Sequence, residues 1–240
     1  MSNHCMTIGF NFEGDFFDQI STINYDGFAI DVVSGKKESC HNLMIPLSNE
    51  IYKEAFKAGC RFLNEFCWVN KVAIYIIGTI YGTGKPKISD KNNLGRIDKY
   101  IIHDFHQIAS KDEQHIALGF YREGFSSKSP FYKFLSYYKI LNIKCIDGNA
   151  HKRWVNNNIK HIRYSHFAID RLKTEGVTNV GEFLWRQGRC ALAHASIQKN
   201  QPIIDVADYD HWQKIVWCND LLQELVELFI QNELSISTSW

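Results

Sequence analysis

Two side chains in one late segment of the chain have the types needed for chemistry on a phosphodiester. Arg189 and His194 stand five positions apart in the run Arg189-Cys190-Ala191-Leu192-Ala193-His194-Ala195, among small and apolar residues that favour a helix. Arginine is a permanent cation suited to phosphate, and histidine is the side chain best placed to move protons near neutral pH. Together they suit RNA cleavage without a metal, with the 2′-hydroxyl as internal nucleophile. Five residues of an ideal helix turn through roughly 140° past a full turn, so the two do not stack as an i, i+4 pair does. They meet on one ligand if Arg189 reaches along the helix, or if a symmetric dimer brings two copies to one groove. The alternative is an Arg on a solvated face and a His that caps backbone carbonyls.

A second set surrounds this pair. Lys160, His161, Arg163 and His166 crowd one helix-prone stretch, and with Arg186 they form a candidate RNA-holding surface, against the reading of ordinary solvated side chains. The net charge of +1 conceals an asymmetry: residues 126–200 hold 13 Lys or Arg against 4 Asp or Glu, and residues 201–240 hold 1 against 7. A basic segment is a plausible polyanion surface unless the acidic last helix packs beside it and cancels its field. Glu182 and Arg186 have i, i+4 spacing, which predicts a helix-supporting ion pair. Cys190 is either a thiol activated by Arg189 or a small residue packed between helices.

Other motifs fail on detail. Gly82-Thr83-Gly84-Lys85 lacks the glycine (Thr79) and the hydroxyl residue (Pro86) of a phosphate loop. Seven scattered cysteines contain no C-x-x-C pair, and His103 and His106 have no evident third ligand, so no metal or cofactor is expected. The amino terminus has no signal-peptide pattern, and the longest apolar run, Val72 to Ile80, is far short of the roughly 20 residues that span a bilayer. A cytoplasmic protein with no membrane contact is the expectation.

The positioning elements read as α+β. Strands are predicted over Thr7–Phe12, Gly27–Val33, Leu43–Ile45 and Val72–Ile77, with Asp26-Gly27 as a turn, and a helix from Asn49 to Trp68 capped by Ser48 or Asn49. Helical patterning then predominates: Arg96 to Ser110, Asp112 to Gly124, a helix opened by Ser129-Pro130, His151 to Lys173, the Arg189 helix capped by Thr178 or Asn179, and Asp208 to Glu233. On the last of these, Glu224 and Glu227 are placed on the face opposite the apolar stripe. Two domains follow: 1–110, a small sheet-containing α+β domain, and 111–240, a helical domain.

A helical bundle with R-x4-H in its later half, preceded by Ser129-Pro130-Phe131-Tyr132-Lys133-Phe134-Leu135-Ser136-Tyr137-Tyr138-Lys139-Ile140-Leu141, resembles the HEPN superfamily over residues 112–235. Arg189 through Ala195 match its Arg-Cys-Ala-x-Ala-His-Ala signature. The resemblance implies an antiparallel HEPN-like bundle, a homodimer with paired motifs lining a cleft, and a metal-independent endoribonuclease of bacterial defence or toxin–antitoxin systems. In that role Arg189 would hold the scissile phosphate and His194 would exchange protons. RNA and an antitoxin or regulatory partner are the implied partners, and the amino-terminal domain would sense a trigger. The alternative implied by the same resemblance is a non-catalytic HEPN-fold module for dimerisation or for nucleotide or protein binding.

Overall fold

The computed structural model describes residues 4–12, 14–16, 20–35, 40–47, 51–82, 99–100, 102, 105–193 and 204–239. The chain divides into two compact units, Met1–Ser110 with Thr238–Trp240, and Lys111–Ser237.

The first unit is a five-stranded antiparallel sheet with one helix. Strands β1 (His4–Phe12), β3 (Ile20–Tyr25), β4 (Phe28–Val33), β5 (His41–Leu47) and β6 (Ile74–Gly82) take the order β3-β4-β5-β1-β6. Two-residue strands β2 (Asp15–Phe16) and β7 (Lys99–Tyr100) pair in parallel. Helix α1 (Tyr52–Asn70) buries Ala55, Ala58, Phe62 and Phe66 against the sheet unit. The predicted caps Ser48 and Asn49 lie outside the described residues. The region expected to be helical from Arg96 to Ser110 is not, among the described residues: it contributes β7 and then irregular chain from Phe105 to Ser110. The reason lies on α1. Glu65, wholly buried, accepts the N–H groups of Ile108 at 2.9 Å and Ala109 at 3.3 Å, together with the Tyr25 hydroxyl at 2.5 Å. Backbone donors spent on a carboxylate are not available to a helical ladder. Burial raises the Glu65 pKa against those three hydrogen bonds.

The second unit is helical: α2 (Asp112–Ser126), α3 (Pro130–Leu141), α4 (Gly148–Asn158), α5 (His166–Thr174), α6 (Val180–Phe183), a π-helical stretch Leu184–Cys190, α7 (Ala191–Ala193) and α8 (Tyr209–Asn232). Ser129 caps α3 by accepting the Tyr132 N–H, with Pro130 at the first helical position, where its missing N–H costs nothing. Leu222, Leu225, Val226 and Phe229 of the apolar stripe of α8 are fully buried, while Trp212 near its start is 42% exposed. Tyr121 of α2 donates to Glu227 at 2.5 Å and Tyr137 of α3 to Gln223 at 3.1 Å, so both helices are pinned to α8. Glu227 is therefore drawn into the packing and does not stand on an opposite, solvated face.

The single helix expected from His151 to Lys173 is broken. It ends at Asn158, passes through one 3-10 turn (Ile159–His161), and restarts at His166. Glu224 of α8 accounts for the break. Its carboxylate accepts the backbone N–H groups of Arg163, Tyr164 and Ser165. No helix among the described residues is long and apolar enough to cross a membrane.

Candidate functional site

The helix bearing Arg189 departs from α geometry where its chemistry-bearing residues sit. The Asn179 side-chain oxygen accepts the Glu182 N–H at 2.8 Å and starts it. Over Leu184–Cys190 the chain then runs as a π-helix before closing as α7. Such wider turns are rare and gather at functional sites.

Facing this stretch are side chains from α3 and α4. Tyr138 meets His151 edge to face with centroids 5.2 Å apart, and Trp185 contacts both, at 6.1 Å and 5.1 Å. The Arg189 guanidinium lies 5.1 Å from the Trp185 ring, a cation–π arrangement, and its Nη1 approaches Cys190 Sγ at 3.9 Å. Tyr138 and His151 are each 1% exposed. The His151 Nε2 donates to the Cys145 carbonyl at 2.7 Å, which fixes the tautomer and leaves Nδ1 as a lone-pair acceptor in the neutral ring. Among the described residues neither His151 Nδ1 nor the Tyr138 hydroxyl has a hydrogen-bond partner.

Electrostatics sets the charge states. Burial holds the His151 pKa below its ordinary value and the Arg189 charge adds to this, while the Cys145 carbonyl and Asp147 oppose it. Burial also raises the Tyr138 hydroxyl well above its ordinary range. The cluster thus presents a neutral imidazole acceptor, a protonated phenol and a fixed cation.

Arg189 lies half-buried in this cluster, while His194 falls outside the described residues. Lys160, His161, Arg163 and His166 are all exposed and share one short stretch, from the 3-10 turn to the first residue of α5. Within that stretch Glu224 accepts the backbone N–H groups of Arg163, Tyr164 and Ser165, so the acidic last helix does contact the basic segment. Arg186 is exposed and does not pair with Glu182: that carboxylate goes instead to Lys152 of α4 at 2.8 Å. The π-helical stretch opens between the two positions and alters the alignment that i, i+4 spacing assumes. Cys190 is half-buried beside this cluster. His151 and Tyr138 were not singled out by sequence as site residues. No spacing joins positions 138, 151 and 189.

The sheet-plus-helix architecture is that of a mixed α+β protein with its candidate chemistry in the helical unit. Residues 117–231 of that unit match the model of a family described as methylamine utilization protein MauJ, to which the helical unit is therefore similar. No curated protein and no solved structure matches the chain. The family match covers the same helices that suggested HEPN and replaces that resemblance. With it fall the HEPN-like bundle, the metal-independent endoribonuclease, the defence or toxin–antitoxin setting and the non-catalytic HEPN-fold alternative. The physical reason is the brevity of R-x4-H: two residue types at one spacing recur by accident. Here Arg189 stacks on Trp185, and its expected partner His194 is not among the described residues. Nor does any group of three or more His, Cys, Asp or Glu there suit a metal ion.

Proposed function

We propose that the helical unit is a small-molecule binding module serving methylamine utilization, with Tyr138, His151, Trp185 and Arg189 as its binding centre. One observation carries the reading: two adjacent, buried polar groups, Tyr138 Oη and His151 Nδ1, have no partner among the described residues and share a cluster with a guanidinium. An unmade hydrogen bond at a buried atom costs about 1–3 kcal/mol. Two in one cluster point to a small polar group that completes them. The likeness of residues 117–231 to a methylamine utilization family supports the metabolic setting.

The chemistry of the cluster narrows the ligand. His151 Nδ1 accepts, Tyr138 donates, and Arg189 disfavours a second cation. Methylammonium matches only the first of these. A small oxygen ligand that carries both an O–H or N–H donor and a carbonyl or carboxylate acceptor matches all three. Calorimetric titration of the full chain with glycolate, formamide and methylammonium tests this. Glycolate or formamide should bind, and Tyr138→Phe and His151→Phe should each weaken binding at least tenfold. Binding of methylammonium in their place, no binding by any of the three, or binding indifferent to both substitutions rejects the proposal.

A further inference from the structure

A separate cleft of about 320 Å³ opens where the turn after α5 meets the start of the Arg189 helix, lined by Glu175, Glu182, Phe183, Arg186 and Lys214 among others. Its charges are unevenly spent. Lys214 pairs with Glu175 at 2.6 Å and Lys152 with Glu182 at 2.8 Å, so both carboxylates are neutralised by lysines. Arg186 has no ion pair among the described residues and projects from the π-helical stretch that separated it from Glu182. The Lys214 ammonium also stands 6.0 Å from the ring of Phe183, a lining residue that is 5% exposed and so shows the cleft only an edge. The cleft therefore offers one uncommitted guanidinium, a second cation already partly satisfied, and a narrow apolar edge of Phe183. Its volume is at the small end for metabolite sites.

The geometry points to this cleft as a second binding site, specific for a small organic monocarboxylate held by Arg186. A guanidinium presents two parallel N–H donors that match a carboxylate, whereas an ammonium does not. The two existing ion pairs leave a surplus of one positive charge, which one carboxylate balances. The remainder of such a ligand lies toward Phe183. Amines are disfavoured by the same surplus, and inorganic phosphate would leave the apolar edge of the lining uncovered.

Calorimetric titration of the full chain with benzoate, inorganic phosphate and butylamine separates the cases, repeated on Arg186→Gln and Arg186→Lys. Arg186 is exposed and has no ion pair among the described residues, so neither variant disturbs folding. Benzoate should bind saturably, Arg186→Gln should weaken it at least tenfold, and Arg186→Lys should fall between. Tyr138→Phe should leave benzoate binding unchanged, which keeps this cleft distinct from the buried cluster. No saturable benzoate binding, equal binding by butylamine, tighter binding by phosphate, or benzoate affinity within twofold in Arg186→Gln overturns the inference.

Discussion

Tyr138 and His151 touch edge to face at 5.2 Å, yet the phenol does not hydrogen-bond the imidazole and the Nδ1 lone pair beside it has no partner among the described residues. Removing a satisfied buried hydroxyl is costly, but removing an unsatisfied one is close to neutral, because no bond is broken and a desolvated polar atom disappears. Tyr138→Phe should therefore change stability by less than about 1 kcal/mol without ligand, in either direction. Urea unfolding of the ligand-free protein checks this. A loss of several kcal/mol would show that the hydroxyl is bonded in the native protein.

The His151 ring supplies a pH signature. Burial, reinforced by Arg189, depresses its folded pKa below the ordinary value of 6.5. A group with a depressed folded pKa binds fewer protons in the native state, so its stabilising contribution is complete above its unfolded pKa and is lost as the pH falls toward the folded one. Stability should decline as the pH drops below about 6.5. His151→Phe, which cannot titrate, should flatten that part of the curve. Denaturant midpoints measured between pH 7.5 and 5 give the comparison.

Much of the local architecture was legible because it depends on neighbours in the chain. Asp26-Gly27 announced a two-residue hairpin turn, and both residues have positive φ, 52° and 84°, joining β3 to β4 as such turns require. Ser129-Pro130 and Asn179 signalled helix starts for the same reason. What escaped was set by residues distant in sequence. Glu65 holds the backbone at Ile108 and Ala109 out of a helix, 43 and 44 residues away, and Glu224 interrupts an amphipathic stretch some 60 residues earlier. Periodicity reports which residues prefer a face; it is blind to a carboxylate that arrives from another element. The Arg189 region failed differently. The π-helical stretch changed the neighbours that α-helical spacing assumes, placing Arg189 over Trp185 and leaving Arg186 apart from Glu182.

Close packing of the Arg189 helix on α4 gives another test. A Cβ added to Gly181 would lie 2.5 Å from the Lys152 carbonyl oxygen and 3.0 Å from Asn156 Oδ1. The first obstacle is backbone and cannot rotate away, so Gly181→Ala must push the two helices apart. The Gly181 N–H bond to Asn156 Oδ1, now 2.9 Å, would lengthen with it. Overpacking of this kind costs typically about 1–3 kcal/mol. Thermal unfolding should report a lower midpoint, and ligand binding at the Tyr138–His151 cluster should weaken because Trp185 follows on the same helix.

Glu224 is the most consequential carboxylate on α8 for the shape of the basic stretch. Burial alone would raise its pKa, but the backbone N–H groups of Arg163, Tyr164 and Ser165 together outweigh that and hold it below the ordinary 4.5. Its contribution is complete above that ordinary value and is lost as the pH falls through the folded pKa, a window more acidic than that of His151. Glu224→Gln removes the charge and turns one oxygen acceptor into a donor that faces N–H groups. The expected loss is about 1–2 kcal/mol, at the lower end for charged hydrogen bonds because the side chain is partly solvated. The decisive readout is local. Amide hydrogen exchange at Arg163, Tyr164 and Ser165 should accelerate in Glu224→Gln while the buried stripe of α8 keeps its protection. Unchanged exchange at those three amides would mean that the turn holds its shape without the carboxylate, and the break between α4 and α5 would then belong to the local sequence Asn156-Asn157-Asn158 instead.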